Sequence, residues 1–221
     1  MDQNTKKQRV AEAVLDYIDN GESLGIGSGS TVNILIENLS KVKNKIRNVV
    51  SSSVKSTELL EANGFEVSEL RDVGRLTKYI DGADEVNKDL QMIKGGGGAL
   101  TREKILAHNS NQFICIVDDS KKVDMLGKFP LPIEVIPLSR SSVSLELIKH
   151  GGRPVLRENF VTDNGNLILD IHNLQIMEPI KLEQTINNIP GVVTNGIFAL
   201  DHANVLLCAS DSGIDKTDLN A

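Results

Sequence analysis

Hydrophobic residues in the first 126 positions alternate between helical periodicity and short continuous apolar runs. The periodic segments place apolar side chains on one face of a helix, and the runs between them have the length of buried strands. The predicted elements are helix 5–19, strand 23–28, helix 30–40, strand 47–52, helix 55–63, strand 78–81, helix 99–108 and strand 112–118. This alternation predicts an α/β fold with a mostly parallel, Rossmann-like sheet covered on both faces.

The pattern changes between Lys128 and Phe198. The predicted elements there are a strand in LPIEVIP, a helix in SRSSVSLELIKH, strands in RPVLRE and NLILDIH, a helix in PIKLEQTINNI and a strand in GVVTNGIF. This βαββαβ order is typical of a ferredoxin-like module. The last apolar run, NVLLCAS, has no partner in that module, so we expect it to return to the first sheet. We therefore predict an α/β catalytic domain, residues 1–127 plus 199–221, with a small α+β domain inserted at 128–198.

The composition restricts the class of protein. The chain has 221 residues, of which 40% are hydrophobic and 24% charged, and its net charge is -6. The negative charge and the lack of a basic stripe argue against nucleic acid as a partner. No apolar run approaches the roughly 20 residues that a membrane helix needs, so we expect no membrane contact. The amino terminus reads as an amphipathic helix and not as a secretory signal, which favours a cytoplasmic protein.

Cysteine and histidine provide no evidence of a metal site. Cys115 and Cys208 lie in apolar runs and are predicted to be buried and inert. The histidines lack the spacing of metal ligands and are interpreted as surface or structural residues. They are His108, His150, His172 and His202.

A glycine-rich turn, SLGIGSGST, follows the first predicted strand and leads into the helix TVNILIENL. Free N–H groups at a helix start, together with the positive end of its dipole, form a site for an anion. Gly25, Gly27 and Gly29 give G-x-G-x-G, which is not the dinucleotide fingerprint, and the turn lacks the lysine of a P-loop. The turn favours a small phosphate ester over a dinucleotide, although a helix cap with close helix–strand packing explains it equally well.

The segment DGADEVNKDLQMIKGGGGALTREKIL carries most of the candidate chemistry. Asp81 and Asp84 follow a strand, at the end where parallel sheets bind ligands, and Lys94 precedes four glycines that can offer N–H groups. With Glu103 at the next helix start, we expect three acids and a lysine to converge on one cleft. Taken singly, the aspartates could form a turn or a cap, the glutamate could complement the helix dipole, and the lysine could be solvated. The four glycines favour a ligand cradle.

The motifs GIGSGST, DGADEVN, QMIKGGGGALTREKI, KFPLPIEVIP and GGRPVLR occur in this order, and the chain thereby resembles ribose-5-phosphate isomerases of the A type from Thr5 to Leu207. The resemblance implies interconversion of ribose 5-phosphate and ribulose 5-phosphate by a homodimer, without cofactor or metal. It also implies that Glu103 is the base, with Asp81, Asp84 and Lys94 as further catalytic residues.

The resemblance also implies a set of residues that bind the substrate, with the phosphate at the GSGST turn. They are Ser28, Gly29, Ser30, Thr31, Gly82, Ala83, Gly95, Gly96, Gly97, Lys121 and Lys7. Lys121 is preferred to Lys7 as the source of extra positive charge. Two alternatives stay open, a non-catalytic sugar-phosphate sensor and an isomerase or deaminase that acts on an aminosugar phosphate.

Overall fold

The structure is a computed structural model that describes residues 1–219. Its α-helices are α1 (Gln3–Ala13), α2 (Ser30–Asn38), α3 (Val54–Ala62), α4 (Leu70–Val73), α5 (Leu100–His108), α6 (Arg140–Lys149) and α7 (Pro179–Asn187). Its strands are β1 (Glu22–Ile26), β2 (Ile46–Ser51), β3 (Leu76–Asp81), β4 (Glu85–Val86), β5 (Met92–Ile93), β6 (Ser110–Asp118), β7 (Leu131–Val135), β8 (Arg153–Leu156), β9 (Leu167–His172), β10 (Val192–Asn195), β11 (Ile197–Phe198), β12 (Val205–Ser210) and β13 (Gly213–Asp218). Within this part of the chain, no helix combines the length and the apolar character that a membrane crossing requires.

The chain forms two compact units. The first contains Met1–Ala83, Arg102–Lys121 and the residues from Ala203 onward, and the second contains Asp84–Thr101 and Lys122–His202. The predicted domains place residues 84–101 in the first domain, whereas in the structure these residues pack within the second unit. They do so because β5 pairs with both β4 and β11. The sequence did not predict this pairing, because strands of two residues leave no periodic signal.

The first unit contains a six-stranded sheet with the order β13-β12-β6-β3-β1-β2. All neighbouring strands are parallel except β12 and β13. This confirms the prediction of a mostly parallel sheet, and β12 is the run NVLLCAS that was expected to return to it. β13 was not predicted, because its sequence GIDKTD is polar and largely exposed.

The core of the first unit lies between this sheet and its helices. Helix α1 begins at an Asp2 cap, whose carboxylate accepts a hydrogen bond from the Thr5 N–H group at 2.7 Å. Its buried face continues beyond the helix through a 3-10 turn at Val14–Tyr17. Apolar residues from α1, α2 and the central strands form one cluster. This packing holds the strands so that their carboxyl ends form one edge of the sheet.

The second unit contains a four-stranded antiparallel sheet with the order β10-β7-β9-β8, together with α6 and α7. In chain order these strands come fourth, first, third and second, which is the ferredoxin-like arrangement. The βαββαβ prediction is therefore confirmed. Strand β7 is buried along its whole length, and apolar residues of the sheet and both helices form the core of this unit.

The predicted strand GVVTNGIF is not continuous. It divides at Gly196 into β10, which belongs to the four-stranded sheet, and β11, which belongs to a three-stranded sheet with β5 and β4. A Cβ atom at residue 196 would lie 2.3 Å from the carbonyl oxygen of Lys94. Only glycine permits this approach, so the chain changes sheets at that residue.

Candidate active site

The turn after β1 lies beside the end of β3, because the two strands are parallel neighbours and Ile26 pairs with Ile80. Gly27 follows β1, and its N–H group donates to the carbonyl oxygen of Ile80 at 3.0 Å. A Cβ atom at residue 27 would lie 1.9 Å from Cγ of Asp81. Gly27 therefore makes room for a carboxylate of the protein itself.

Asp81 is the last residue of β3 and is completely buried. Its Oδ1 accepts hydrogen bonds from the N–H groups of Ser28, at 3.1 Å, and Gly82, at 2.7 Å. Its Oδ2 accepts a hydrogen bond from the hydroxyl of Tyr79, which is also buried. Burial raises the pKa of Tyr79 well above its ordinary value, and the charges of Asp81 and Glu103 add to the effect. Three donors thus hold this carboxylate in place.

Glu103 lies in the first turn of α5 and is only 3% exposed. The hydroxyl of Ser28 donates a hydrogen bond of 2.6 Å to its Oε1. This contact places the glutamate next to the turn that also holds Asp81. A residue that only complemented the helix dipole would remain in solvent, so burial of Glu103 favours the functional interpretation.

The remainder of the turn is open to solvent. Gly29 has φ of 101° and precedes α2, and Ser30, the first residue of that helix, is exposed. The ammonium group of Lys7 donates to the hydroxyl of Ser30 at 2.9 Å. A cation therefore lies at the start of α2, next to Thr31, and its charge adds to the positive end of the helix dipole. Lys121 ends the 3-10 turn after β6 and is half-buried.

The glycine run lies in the second unit and forms a tight turn, in which the N–H group of Gly98 donates to the carbonyl oxygen of Gly95 at 2.9 Å. The carboxylate of Asp84 accepts the N–H group of Gly96 at 2.8 Å. Arg157 donates to the carbonyl oxygens of Gly95 and Gly96, at 3.4 and 3.1 Å. The turn is therefore fixed through both its N–H and its carbonyl groups.

Three of the four glycines have a packing reason in the protein itself. A Cβ atom at residue 95 would meet Leu100 at 2.8 Å, one at 96 would meet Asp84 at 2.7 Å, and one at 98 would meet Phe160 at 2.1 Å. A Cβ atom at residue 97 would have no neighbour within 4 Å. The four glycines together therefore do not mark a ligand cradle. Only Gly97 has open space where a ligand could approach the backbone.

Lys94 follows β5 and is only 3% exposed, so it is not a solvated surface lysine. Its N–H group donates to the carbonyl oxygen of Gly196 at 2.9 Å, and its ammonium group lies 5.4 Å from the centre of the Phe198 ring. A buried ammonium group loses its hydration, so the protein around it must compensate the charge.

The structure therefore places the candidate residues in two groups. In the first unit, Ser28 joins Asp81 and Glu103, and Lys7 contacts Ser30. In the second unit, Asp84 holds the glycine turn that follows Lys94. The convergence of all four catalytic candidates on one cleft stays a prediction.

Cys115 and Cys208 are buried, as predicted.

Sequence reasoning missed two residues that support these groups. Tyr79 has the appearance of an ordinary apolar strand residue in KYI, and Arg157 that of a surface cation in RPVLRE. Arg157 has no local signal, because the glycine turn that it supports is distant in the sequence, whereas Tyr79 is only two residues from its partner Asp81. The alternation of side chains along β3 does place Tyr79 and Asp81 on the same face of the strand.

Comparison with known proteins identifies the class. Residues 48–213 match the family described as ribose 5-phosphate isomerase A (phosphoriboisomerase A). A ribose 5 phosphate isomerase A from Neisseria gonorrhoeae is 48% identical, with a TM-score of 0.96 over 98% of this chain and 97% of that chain. The corresponding enzyme from Methanocaldococcus jannaschii is 35% identical, with a TM-score of 0.91 over 97% of this chain and 98% of that one.

A third structure is a D-ribose-5-phosphate isomerase in complex with phospho-erythronic acid. It is 35% identical, with a TM-score of 0.95 over 99% of this chain and 100% of that chain. Together with the buried carboxylates, these matches define the protein as an aldose–ketose isomerase. The chain belongs to the ribose 5-phosphate isomerase A family.

Proposed function

We propose that this enzyme interconverts ribose 5-phosphate and ribulose 5-phosphate through a cis-enediolate, in the non-oxidative pentose phosphate pathway, with Glu103 as the base. Moving the carbonyl from C1 to C2 requires removal of the C2 proton and delivery of a proton to C1, and one carboxylate can serve both carbons. The observation that carries the proposal is the buried carboxylate of Glu103, held by the Ser28 hydroxyl at 2.6 Å.

We further propose roles for the other acids and for the lysine. Negative charge develops on the substrate carbonyl oxygen during proton transfer, and Lys94 stabilises it together with N–H groups of the turn at Gly95, Gly96 and Gly97. The burial of Lys94 supports this role, because a charge interaction is stronger away from water. Asp81 and Asp84, with the intervening Gly82 and Ala83, hold substrate hydroxyls and assist opening of the furanose ring.

The phosphate group is proposed to bind at the start of α2. The helix N-terminus carries partial positive charge, Ser30 and Thr31 provide hydroxyl donors, and Gly29 leaves the backbone accessible. The contact of Lys7 with Ser30 supports a role for that lysine, and Lys121 is a second candidate cation.

The reaction as proposed needs neither cofactor nor metal. One experiment tests both this independence and the proton transfer. The purified, chelator-treated protein is incubated with ribose 5-phosphate in heavy water, and the ketose is examined by mass spectrometry. We expect solvent deuterium in the product, because the enediolate exchanges its proton with solvent. Loss of activity on chelation would show that a metal is needed.

A variant separates catalysis from binding. Glu103→Gln keeps the size of the side chain and removes the base, so it should bind phospho-erythronic acid with an affinity close to wild type while kcat falls by roughly 10²- to 10⁴-fold. A related D-ribose-5-phosphate isomerase forms a complex with this acid. Turnover at the wild-type rate would refute the assignment of Glu103.

A sensor without activity is not favoured, because the matched family is one of isomerases. Such a sensor would bind the ligand without producing ketose, so formation of ketose in the heavy-water experiment excludes it. An enzyme specific for an aminosugar phosphate would leave ribose 5-phosphate unchanged but convert the amino compound.

We also propose that the enzyme is a homodimer in the cytoplasm, where phosphorylated sugars are retained. The second unit exposes large apolar side chains on and near α6, namely Leu138, Leu145 and Ile148. Exposed apolar surface of this kind supports association with a second copy of the chain. Light scattering after size-exclusion chromatography measures the mass in solution, and a monomeric mass would contradict the dimer. Fractionation of cells tests the compartment.

A further inference from the structure

Ser28 provides two hydrogen-bond donors, and both are directed at carboxylates of the protein. Its N–H group donates to Oδ1 of Asp81 at 3.1 Å, and its hydroxyl donates to Oε1 of Glu103 at 2.6 Å. Asp81 is fully buried and Glu103 nearly so, whereas Ser28 itself is partly exposed. One residue thus connects two buried acids.

The geometry conflicts with the role that the family resemblance implies for Ser28. A serine hydroxyl has a single hydrogen, and a distance of 2.6 Å is in the range of a strong bond to an ionised acceptor. That hydrogen cannot also be donated to a phosphate group. Ser30, two residues later, is exposed and contacts Lys7, so the two serines of the turn have different surroundings.

The structure around Ser28 is built for these carboxylates. Gly27 has no side chain, and a Cβ atom there would overlap the carboxyl group of Asp81. The hydroxyl of Ser56 donates to the carbonyl oxygen of Gly27 at 2.8 Å, which fixes the turn from the other side. The peptide between residues 27 and 28 is therefore held at both ends, which fixes the direction of the Ser28 N–H group.

We propose that Ser28 is a positioning residue for the base, which holds the Glu103 carboxylate in its reactive orientation and in its ionised form. The inference rests on the proposed role of Glu103 in the isomerase reaction. A hydrogen-bond donor to a carboxylate stabilises the charged form and lowers its pKa. A carboxylate held in one orientation also spends more of its time in the orientation that reacts. Tyr79 and Asp81, both on β3, are titratable members of this network.

The test compares Ser28→Ala with Ser28→Thr and measures kcat, KM and the pH dependence of kcat/KM for ribose 5-phosphate. In Ser28→Ala we expect kcat to fall by roughly 10- to 100-fold with KM nearly unchanged. The acid limb of the pH profile should move up by about one pH unit, since loss of the donor raises the pKa at which the base becomes protonated. Ser28→Thr keeps the hydroxyl and should retain both values.

Ser30→Ala is the matched control in the same turn. As a proposed phosphate contact it should raise KM without moving the acid limb. If Ser28→Ala instead raises KM and leaves the acid limb in place, Ser28 is a phosphate ligand and the inference is wrong. An unchanged profile with unchanged kcat would refute it equally.

Two further measurements distinguish an effect of Ser28→Ala on folding from an effect on catalysis. Circular dichroism and thermal unfolding establish whether Ser28→Ala is folded. If it is not, Ser28→Cys, which is similar in size but a weaker donor, should give a smaller shift of the same limb, and no shift would overturn the proposal. Failure of the inference is distinct from failure of the proposed function. If the role of Glu103 is wrong, Glu103→Gln stays active; if only the role of Ser28 is wrong, Glu103→Gln still loses its activity.

Discussion

The hydroxyl of Tyr79 donates a hydrogen bond to Oδ2 of Asp81, and both side chains are completely buried. The pKa of Tyr79 is raised, first by burial and then by the negative charges of Asp81 and Glu103. The hydroxyl therefore remains a donor at a pH where an exposed tyrosine has lost its proton. The carboxylate keeps this partner throughout the physiological range.

Tyr79→Phe should lower the free energy of unfolding by about 1–3 kcal/mol, because the buried carboxylate loses a donor. Urea denaturation at pH 7 measures this change. The stability of the wild-type protein should also decrease as the pH rises above the ordinary tyrosine value of 10.0, since the unfolded chain releases the Tyr79 proton while the folded protein retains it. Tyr79→Phe should reduce that alkaline loss, and Tyr17→Phe serves as its control. An equal alkaline loss in wild type and Tyr79→Phe would contradict the assignment.

Gly98→Ala and Gly97→Ala should differ sharply. Gly98 has φ of 82° and lies against Phe160, so an added methyl group should destabilise the protein by about 2–4 kcal/mol through backbone strain and overlap. Gly97 has open space beside it, and its substitution should change stability by less than about 1 kcal/mol.

If a ligand approaches Gly97, Gly97→Ala should nevertheless impair kcat/KM for ribose 5-phosphate. Thermal unfolding and steady-state kinetics on the same two samples provide the comparison. Wild-type kinetics in Gly97→Ala would show that no ligand approaches this residue closely enough to exclude a methyl group.

Arg157→Lys should weaken catalysis although Arg157 is not among the residues proposed to bind the substrate. The guanidinium forms a bidentate ion pair with Asp170, at 2.8 and 2.5 Å, and also donates hydrogen bonds to the carbonyl oxygens of Gly95 and Gly96. Lysine cannot reproduce this fork, so the glycine turn should lose its support and kcat should fall by about tenfold. Arg153→Lys, at an exposed arginine of strand β8 just before Arg157, is the control. Equal kinetics in both variants would show that the turn keeps its catalytic geometry without the Arg157 fork.

Two adjacent lysines should have separable effects. Lys7 contacts Ser30, and Lys7→Ala should raise KM by about tenfold, more strongly at low salt than at high salt. Lys6 pairs with Asp119 and Asp211, and Lys6→Ala should lower the thermal midpoint with little change in KM. Kinetic and melting measurements on both variants check this. A raised KM in Lys6→Ala with none in Lys7→Ala would reverse the assignment.

The sequence predicted those parts of the fold that have a periodic signal. Strands such as β6 and β12 are apolar runs, and the βαββαβ order of the second unit follows from alternation and turn residues. β4 and β5 were missed because they have two residues each, and the division at Gly196 was missed because it depends on the carbonyl oxygen of Lys94, which is distant in sequence.

The candidate residues were predictable where position on an element determines their placement. Asp81 ends a strand and Glu103 lies in the first turn of a helix, so both could be expected near the glycine-rich turn that follows β1. The contacts that orient them could not be predicted, because the partners Ser28 and Tyr79 are recognised only by distance and burial in the folded chain. For the same reason, the sequence could not show that Gly95, Gly96 and Gly98 are required by neighbouring side chains.

The antiparallel strand β13 covers the edge of β12, whose residues are almost all buried. β13 carries Asp215, Lys216 and Asp218 and is itself largely exposed. An apolar strand left uncovered would recruit strands of other molecules, whereas a charged outermost strand discourages such pairing. This polar hairpin thus protects the enzyme from aggregation, and a chain shortened after Ser210 would be expected to precipitate at concentrations that the whole protein tolerates.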